Sequence, residues 1–427
     1  MQSFLQLVAH DLYAKIGNDL SRTALIFPNK RANLFFNEYL AGESDQPIWS
    51  PAAMSISDLF QKLSVQKSGD PIRLVCELYK VFKEETQSQE TLDDFYFWGE
   101  LLISDFDDVD KNMVDADKLF SNLQDLKNLM DDYEFLDKEQ EEAIQQFFQN
   151  FSIERRTELK EKFISLWDKL GTIYHHYREN LTELGIAYEG MLYRNVIEQL
   201  DTDQLKYDKY IFVGFNVLNK VENEFFRKLK DAGKALFYWD YDIFYTQQIR
   251  KHEAGEFLKR NLGEFPNELP ESFFDTFKEP KKIRYISAST ENAQARFLPE
   301  WIKMITDNHS QIAEEKEKEN AVVLCNEALL LPVLHSIPQE VKNVNITMGF
   351  PLAQTPIYSF INAAMELQTN GYRSDTGRFT YEAVSAILKH PYTRQISSHA
   401  GPLERELTKT NRFYPLPSEL KQDDFLA

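Results

Sequence analysis

Two short polar segments follow apolar runs that have the length and composition of buried strands. Asn29, Lys30 and Arg31 come directly after the first such run. Asn216 comes shortly after the second, which spans residues 210–213. Loops at the carboxyl ends of parallel strands are where ligands bind in open α/β sheets, and a helix start with two cations suits phosphate. The pattern therefore predicts a phosphate-contacting loop, although a solvated or salt-bridged pair of cations is the more common meaning of so short a motif.

The motifs of common catalytic and metal sites are missing. The chain has no G-x-x-x-x-G-K-[ST], G-x-G-x-x-G, G-x-S-x-G, H-E-x-x-H or C-x-x-C, so NTP phosphates have no cradle. Cys76 and Cys325 stand far apart without a partner signature, which favours a reducing compartment. Asp240 and Asp242 could hold a metal ion, but metal sites need more converging ligands. We expect no catalytic residue, no cofactor and no metal ion in this segment.

The stretch 210–242 has the pattern strand, turn, helix, turn, strand. Residues 210–213 and 235–239 are continuous apolar runs, which are typical of strands buried on both faces of a parallel sheet. A unit this compact implies a right-handed crossover and an α/β layer. The first run leads into Gly214, at the place where a nucleotide hydrolase carries the acid that holds magnesium.

Charge and hydropathy limit the classes of protein that fit. The net charge is −20 over 427 residues, which argues against a protein that coats nucleic acid without excluding a local basic groove. Residues 91–142 hold 17 acids against four lysines and no arginine, without the ligand order of an EF-hand. Such an acidic surface would repel DNA phosphates and would suit a basic partner surface. No run of 18 apolar residues occurs, so we expect no membrane span and a cytoplasmic location.

The order of these patterns predicts an interrupted α/β domain followed by a second one. Strand-like runs stop before residue 91 and resume after residue 205, and three further runs, at 283–287, 321–324 and 344–348, alternate with helical patterns. The chain ends without a compact closing element, so we expect a fragment of a longer protein. The predicted parts are 1–90 and 206–245 as the first α/β domain, 91–205 as an all-helical insertion, 246–281 as a linker, and 282–427 as an incomplete second α/β domain.

Four segments, in their order along the chain, resemble AddB-type proteins, the inactivated-helicase and nuclease subunits of bacterial AddAB recombination complexes. The segments are LIFPNKRANLFF, YDKYIFVGFNVLNKVENEFFRKL, VNITMGFPLAQTPIYSFINAAMEL and ILKHPY. The resemblance implies the superfamily 1, UvrD/RecB-like helicase fold, with two RecA-like P-loop-NTPase-type domains. AddB-type proteins also carry a C-terminal PD-(D/E)XK nuclease domain, which we would expect to lie beyond this segment. The full-length protein would then be an ATP-independent or partner-dependent exodeoxyribonuclease.

The same resemblance implies a role in DNA double-strand-break end processing and recombinational repair. The segment would be a catalytically inactive region that guides or scans single-stranded or duplex-end DNA. It would work next to an active motor, with an AddA-like helicase–nuclease subunit as partner and no membrane contact. Asn29, Lys30, Arg31 and Asn216 would contact the DNA. The alternative is a non-catalytic interaction scaffold that retains the helicase fold without binding DNA.

We predict that this chain does not bind ATP productively, because it has no phosphate loop and carries Gly214 in place of a magnesium-holding acid. Isothermal titration with ATP and Mg²⁺, combined with a hydrolysis assay in the presence of single-stranded DNA, measures this. Micromolar binding with DNA-stimulated hydrolysis would contradict the prediction.

Overall fold

The computed structural model describes residues 2–120, 169–247, 253–305 and 320–421. The chain divides into two compact units, of which the first ends at Lys281 and the second begins at Lys282. The second unit thus starts where the sequence predicts the second domain to start. None of the described helices is both long and apolar enough to cross a membrane.

The first unit is built on a four-stranded parallel sheet, so the chain has the expected mixed α/β character. The spatial order of the strands is β2-β1-β5-β6, and the direction in which strands are added reverses between β1 and β5. A separate parallel ribbon contains β3 and β4. The strands are β1 (Thr23–Phe27), β2 (Ala52–Ser55), β3 (Lys67–Ser68), β4 (Ile186–Ala187), β5 (Lys209–Val213) and β6 (Ala235–Tyr238).

Helices cover both faces of this sheet. Because side chains alternate along a strand, Leu25 and Phe27 of β1 pack with α1 and α2 on one face. Ala24 and Ile26 of the same strand pack with α3 and α8 on the other face. The double burial explains why β1 and β5 are continuous apolar runs. The helices of this unit are α1 (Phe4–Ile16), α2 (Ala32–Ala41), α3 (Ile56–Leu63), α4 (Pro71–Thr86), α5 (Leu92–Lys111), α6 (Leu170–Glu183), α7 (Glu189–Gln199), α8 (Lys220–Asp231), α9 (Ile243–Thr246) and α10 (Glu253–Glu264).

The segment predicted as an all-helical insertion also contains a strand. Its described part forms α5, α6 and α7, but β4 lies between α6 and α7 and pairs in parallel with β3. Gly185, with φ of 69°, ends the turn after α6 and leads into β4. A two-residue strand is too short to show a period of two in the sequence, which is why the pattern misses it. Residues 121–168 of the predicted insertion lie outside the described residues.

The prediction of a linker at residues 246–281 is wrong. Residues 253–264 form α10, and the chain that follows buries Phe265, Leu269 and Phe274 in the cores of the first unit. The indole N–H of Trp239, at the end of β6, donates to the backbone carbonyl of Phe265 at 2.8 Å. The prolines that indicate a linker therefore lie in a packed segment of irregular backbone.

The second unit is mainly helical in its described residues, and its predicted parallel sheet does not form there. The runs 283–287, 321–324 and 344–348 belong to none of the strand ladders. Tyr285 and Val323, in two of these runs, are 91% and 84% exposed. An apolar run favours a strand but does not supply the neighbouring strand that it must pair with. The elements are α11 (Glu291–Arg296), α12 (Leu298–Ile305), α13 (Leu330–Ser336), α14 (Pro356–Thr369), β7 (Tyr372–Arg373), β8 (Arg378–Phe379), α15 (Tyr381–Lys389), α16 (Pro391–Ile396), α17 (Ala400–Lys409) and α18 (Pro417–Leu420).

A buried carboxylate joins the helices of the first unit to one another. Asp110, at the end of α5, is fully buried. Its oxygens accept hydrogen bonds from the hydroxyl of Tyr174 at 2.6 Å and from that of Tyr188 at 2.5 Å. Arg178 is ion-paired with it, and Arg194 Nη1 lies 3.3 Å from its Oδ1. Burial, together with the Asp110 carboxylate, raises the pKa of both tyrosines, so both remain protonated donors.

We expect Asp110→Ala to lower the free energy of unfolding by roughly 3–5 kcal/mol, because it leaves the partly buried Arg178 without its counter-charge and the hydroxyls of Tyr174 and Tyr188 without their acceptor. Asp108→Ala, an exposed acid on the same helix, is the matched control and should change the free energy by less than about 0.5 kcal/mol. Urea denaturation followed by circular dichroism gives both values. Equal, small losses in the two variants would show that the buried network does not stabilise the fold.

Candidate nucleic-acid interface

The candidate site lies at the carboxyl edge of the parallel sheet, between the ends of β1 and β5. The register pairs Ile26 with Phe212, so the loop after Phe27 and the loop after Val213 leave the sheet side by side. In open α/β sheets, ligands bind at the crevice where the strand order reverses, and here that reversal falls between these two strands. The structure thus brings the predicted residues of both loops to one edge.

Gly214 shapes the second of these loops. Its φ is 73°, a left-handed conformation that L side chains rarely adopt. A Cβ on this residue would lie 3.7 Å from the ring of Phe4, at the start of α1. An acid at this position would therefore hold a strained backbone conformation. The end of β5 is built for a turn and not for a carboxylate that holds magnesium.

Asn29 serves as a backbone cap for α2. Its Oδ1 accepts hydrogen bonds from the backbone N–H groups of Arg31 at 3.1 Å and Ala32 at 3.3 Å. These are the donors that the sequence assigns to phosphate, and they already have a partner. Asn29 therefore has a structural role, which is the preferred role of an asparagine before a helix, and its contact with DNA stays a prediction.

Lys30 is ion-paired, as the alternative interpretation of the basic pair expects. Its Nζ lies 3.0 Å from Asp58 Oδ1. Asp58 also belongs to the capping box of α3 with Ser55. Hydrogen bonds from Ser55 and Lys30 hold the pKa of Asp58 below its ordinary value. The Lys30 side chain is 74% exposed, and exposed pairs contribute at most about 1 kcal/mol, so a phosphate could replace Asp58 at low cost.

Arg31 is the cation of this edge that stays available. Its side chain is exposed, and within the described ranges no carboxylate forms an ion pair with it. Leu34 and Phe35, three and four residues later, share its face of α2, and they are 70% and 45% exposed. A cation, an aromatic ring and an aliphatic side chain thus line the first turn of α2 beside the crevice. The sequence pattern identifies Arg31 but does not single out Phe35. In so short a helix, the sequence does not distinguish an apolar residue that faces the sheet from one that faces solvent.

Asn216 is held by its backbone and leaves its side chain exposed. Its carbonyl accepts a hydrogen bond from Asn261 Nδ2 of α10 at 2.6 Å, and Asn261 is almost fully buried. The neighbouring Val217 is 58% exposed. The loop is therefore fixed in place, and the amide of Asn216 remains free to contact a ligand at the edge.

Asp242 has a structural role at the end of β6. Burial alone would raise its pKa, but backbone N–H groups of Phe244, Thr276 and Phe277 donate to its carboxylate at 2.8–2.9 Å and hold the pKa below its ordinary value. Within the described parts of the chain, no cluster of three or more His, Cys, Asp or Glu side chains could hold a metal ion.

Ser359 and His390 form a pair that sequence reasoning does not anticipate. Ser359 Oγ lies 3.0 Å from His390 Nε2. The Nδ1 atom of His390 accepts the backbone N–H of Tyr392 at 3.2 Å, which places the ring proton on Nε2. Ser359 donates to the carbonyl of Pro356 at 2.9 Å. The histidine therefore donates to the serine and cannot take its proton, so the pair is not a nucleophile with its base.

We predict that Asn29→Ala lowers the free energy of unfolding by about 1 kcal/mol, because two N–H groups at the start of α2 lose their acceptor. Asn29→Asp keeps that acceptor and places negative charge at the helix start, so it should retain the stability of the unmodified chain. Thermal or urea denaturation compares the two variants. If both lose the same stability, the Oδ1 contacts do not account for the role of Asn29.

No protein-family model matches this chain, and no curated protein matches it. The AddB resemblance of its four segments therefore stays a prediction. The function has to be argued from the geometry of the sheet edge.

Proposed function

We propose that this chain holds single-stranded DNA at the carboxyl edge of its parallel sheet, as a helicase-like part of a DNA end-processing and repair protein that does not hydrolyse ATP. The observation that carries the proposal is the position of exposed Arg31 and Phe35 at the start of α2, the helix that follows β1 at the carboxyl edge of the sheet. The AddB-like sequence segments support the same role. They also support a RecA-like origin of the sheet.

The two kinds of side chain match the two parts of a single strand. Arg31 is suited to the phosphate backbone, because a guanidinium donates in a planar fork that fits phosphate oxygens. Phe35 offers a ring for base stacking, which contributes about 1–3 kcal/mol per base and does not depend on sequence. Lys30 can add a second phosphate contact when its exposed pair with Asp58 opens. The expected mode is therefore binding with little sequence preference.

The loop after β5 supports binding without hydrolysis. Gly214 stands at the strand end in a left-handed conformation, so the magnesium-holding acid of a motor is absent from the position where the resemblance would place it. DNA held at this edge would then depend on another subunit for movement. An AddA-like motor and nuclease is the partner that the resemblance implies.

A second candidate function is that of an interaction scaffold, and the exposed face of α5 favours it. Phe97, Trp98 and Leu101 are 69%, 40% and 39% exposed on this helix. Asp93 and Asp94, in its first turn, are exposed acids close to them. Exposed apolar side chains bordered by charged residues, here acids, are typical of a protein-binding surface. The partner would carry a basic and apolar surface.

The test of DNA holding is the salt dependence of binding to a fluorescein-labelled oligo(dT). Lys30→Ala with Arg31→Ala should weaken binding equally for different sequences and flatten the log–log salt slope by about 1.4, at roughly 0.7 per phosphate contact on a single strand. Phe35→Ala should weaken binding with no change in slope, because stacking releases no counterions.

The matched control removes the same charge elsewhere in the first unit. Lys67→Ala with Lys206→Ala deletes two exposed lysines that lie beyond the far end of α3 and before β5, away from the carboxyl edge. This variant should keep most of the affinity and the full slope. If the edge variant also keeps its affinity and slope, its cations are structural and the scaffold function is favoured.

A further inference from the structure

The second unit carries two arginines directly opposite each other on a short antiparallel ribbon. Arg373 of β7 and Arg378 of β8 are register partners. Like charges at directly opposite positions of a ribbon repel each other and destabilise the pair. Within the described residues, no carboxylate forms an ion pair with either arginine. Asp375, in the connecting turn, uses its Oδ1 to accept the backbone N–H of Thr376 at 2.9 Å.

Both guanidinium groups are positioned by the same tyrosine. The Arg373 guanidinium lies over the ring of Tyr414, 4.8 Å from its centre. Arg378 Nη1 donates to the backbone carbonyl of Tyr414 at 3.1 Å. Their remaining N–H donors face no acidic partner in the described residues. The two guanidinium groups repel each other, and an anion bound to both would offset that repulsion.

Two exposed rings accompany these arginines. Tyr414 is 45% exposed, and Phe413 is 68% exposed. The ring of Tyr414 lies under the Arg373 guanidinium. The ring of Phe413, the preceding residue, stays uncovered. We call this group, with Arg373 and Arg378, the arginine–aromatic ribbon.

The backbone around the ribbon is fixed. Phe379 N donates to the carbonyl of Pro415 at 3.0 Å, and Tyr381 N donates to that of Phe413 at 2.9 Å. These bonds attach residues 413–415 alongside β8. Arg412, which precedes Phe413, forms an ion pair with Glu419 of α18 at 3.0 Å. The rings are therefore presented on a supported surface, which reduces the conformational entropy that a ligand would have to remove.

We propose that the arginine–aromatic ribbon is a second binding surface for single-stranded DNA, with Arg373 and Arg378 on one phosphate and Phe413 under a base. Alternating phosphate and base contacts are the way in which proteins hold single strands. The inference rests on the proposed function for its ligand class, but it uses different residues in the other unit of the chain. Duplex DNA has no unstacked bases for Phe413, so the ribbon favours single strands.

The experiment measures the affinity of the full chain for a fluorescein-labelled oligo(dT) and for a duplex of the same length. Arg373→Ala with Arg378→Ala should weaken oligo(dT) binding by about tenfold and flatten the salt slope by about 0.7, for one phosphate held by both arginines. Arg373→Lys with Arg378→Lys keeps the charge but loses the planar fork, so it should recover the slope and only part of the affinity.

Phe413→Ala serves as the second variant, because its exposed side chain can be removed without opening a core. It should weaken oligo(dT) binding by about tenfold, keep the salt slope and leave duplex binding unchanged. The charge-matched control, Arg394→Ala with Arg405→Ala, removes two exposed arginines from α16 and α17 and should keep the affinity. Circular dichroism establishes that each variant is folded.

The pattern of losses separates the two proposals. Full affinity in the folded Arg373/Arg378 and Phe413 variants, with loss in the Lys30/Arg31 variant, overturns the ribbon and supports the sheet edge. Loss in the ribbon variants alone supports the ribbon and overturns the sheet edge. Equal loss in the ribbon variant and its Arg394/Arg405 control means that only overall charge matters, and it overturns the ribbon as a site.

Discussion

The parallel pairing of β1 with β5 is the contact on which the first unit depends. It joins residues that lie 186 positions apart, as in the backbone bond of 2.9 Å from Asp208 N to the carbonyl of Arg22. The Arg22 guanidinium and the Asp208 carboxylate pair beside that bond, at the amino ends of the same two strands. Closing so long a loop costs entropy that grows only slowly with length, and strands buried on both faces supply the compensating hydrophobic free energy. The crevice at the carboxyl ends of the same two strands follows from this pairing, since parallel strands that begin together also end together.

The helices between β1 and β5 must therefore pack in an arrangement that returns β5 to the side of β1. α5 and α7 approach so closely at Gly190 that a Cβ there would clash with the carbonyl oxygen of Asp107. Asp110 of α5 connects these helices from inside the fold, because it pairs with Arg178 of α6 and Arg194 of α7. A buried charge in this position costs more to leave unpaired than it contributes when paired. The buried Asp110 network therefore makes one arrangement of α5, α6 and α7 much lower in free energy than the alternative arrangements.

The sequence predicts the buried strands of this sheet. It does not predict features that depend on which strand or side chain lies next to a residue. β1, β5 and β6 are apolar runs of the kind that a doubly covered strand requires. β2 is missed, because it is an edge strand with only its last two residues buried. The apolar runs of the second unit carry the same signal but join no ladder, since a run of residues contains no information about its neighbour. In the same way, Lys30 can be placed in a loop from the sequence alone. Its bond to Asp58 depends on the register that brings the ends of β1 and β2 together.

Several exposed arginines of the described residues, Arg394 and Arg405 among them, form no ion pair, so the informative feature of Arg31 and Arg373 is the exposed ring beside each of them. The chain has 68 Asp and Glu against 48 Lys and Arg, so a cation on its surface readily meets a carboxylate. Lys15, at the end of α1, contacts two carboxylates at 2.7 Å. Lys111, at the end of α5, contacts two others at 2.6 and 2.8 Å. Arg31 and the Arg373–Arg378 pair differ from these lysines, because each lies beside exposed rings instead of acids. An acidic protein that kept such arginines only for solubility would gain nothing from placing rings next to them, whereas a strand of phosphates and bases requires both groups together.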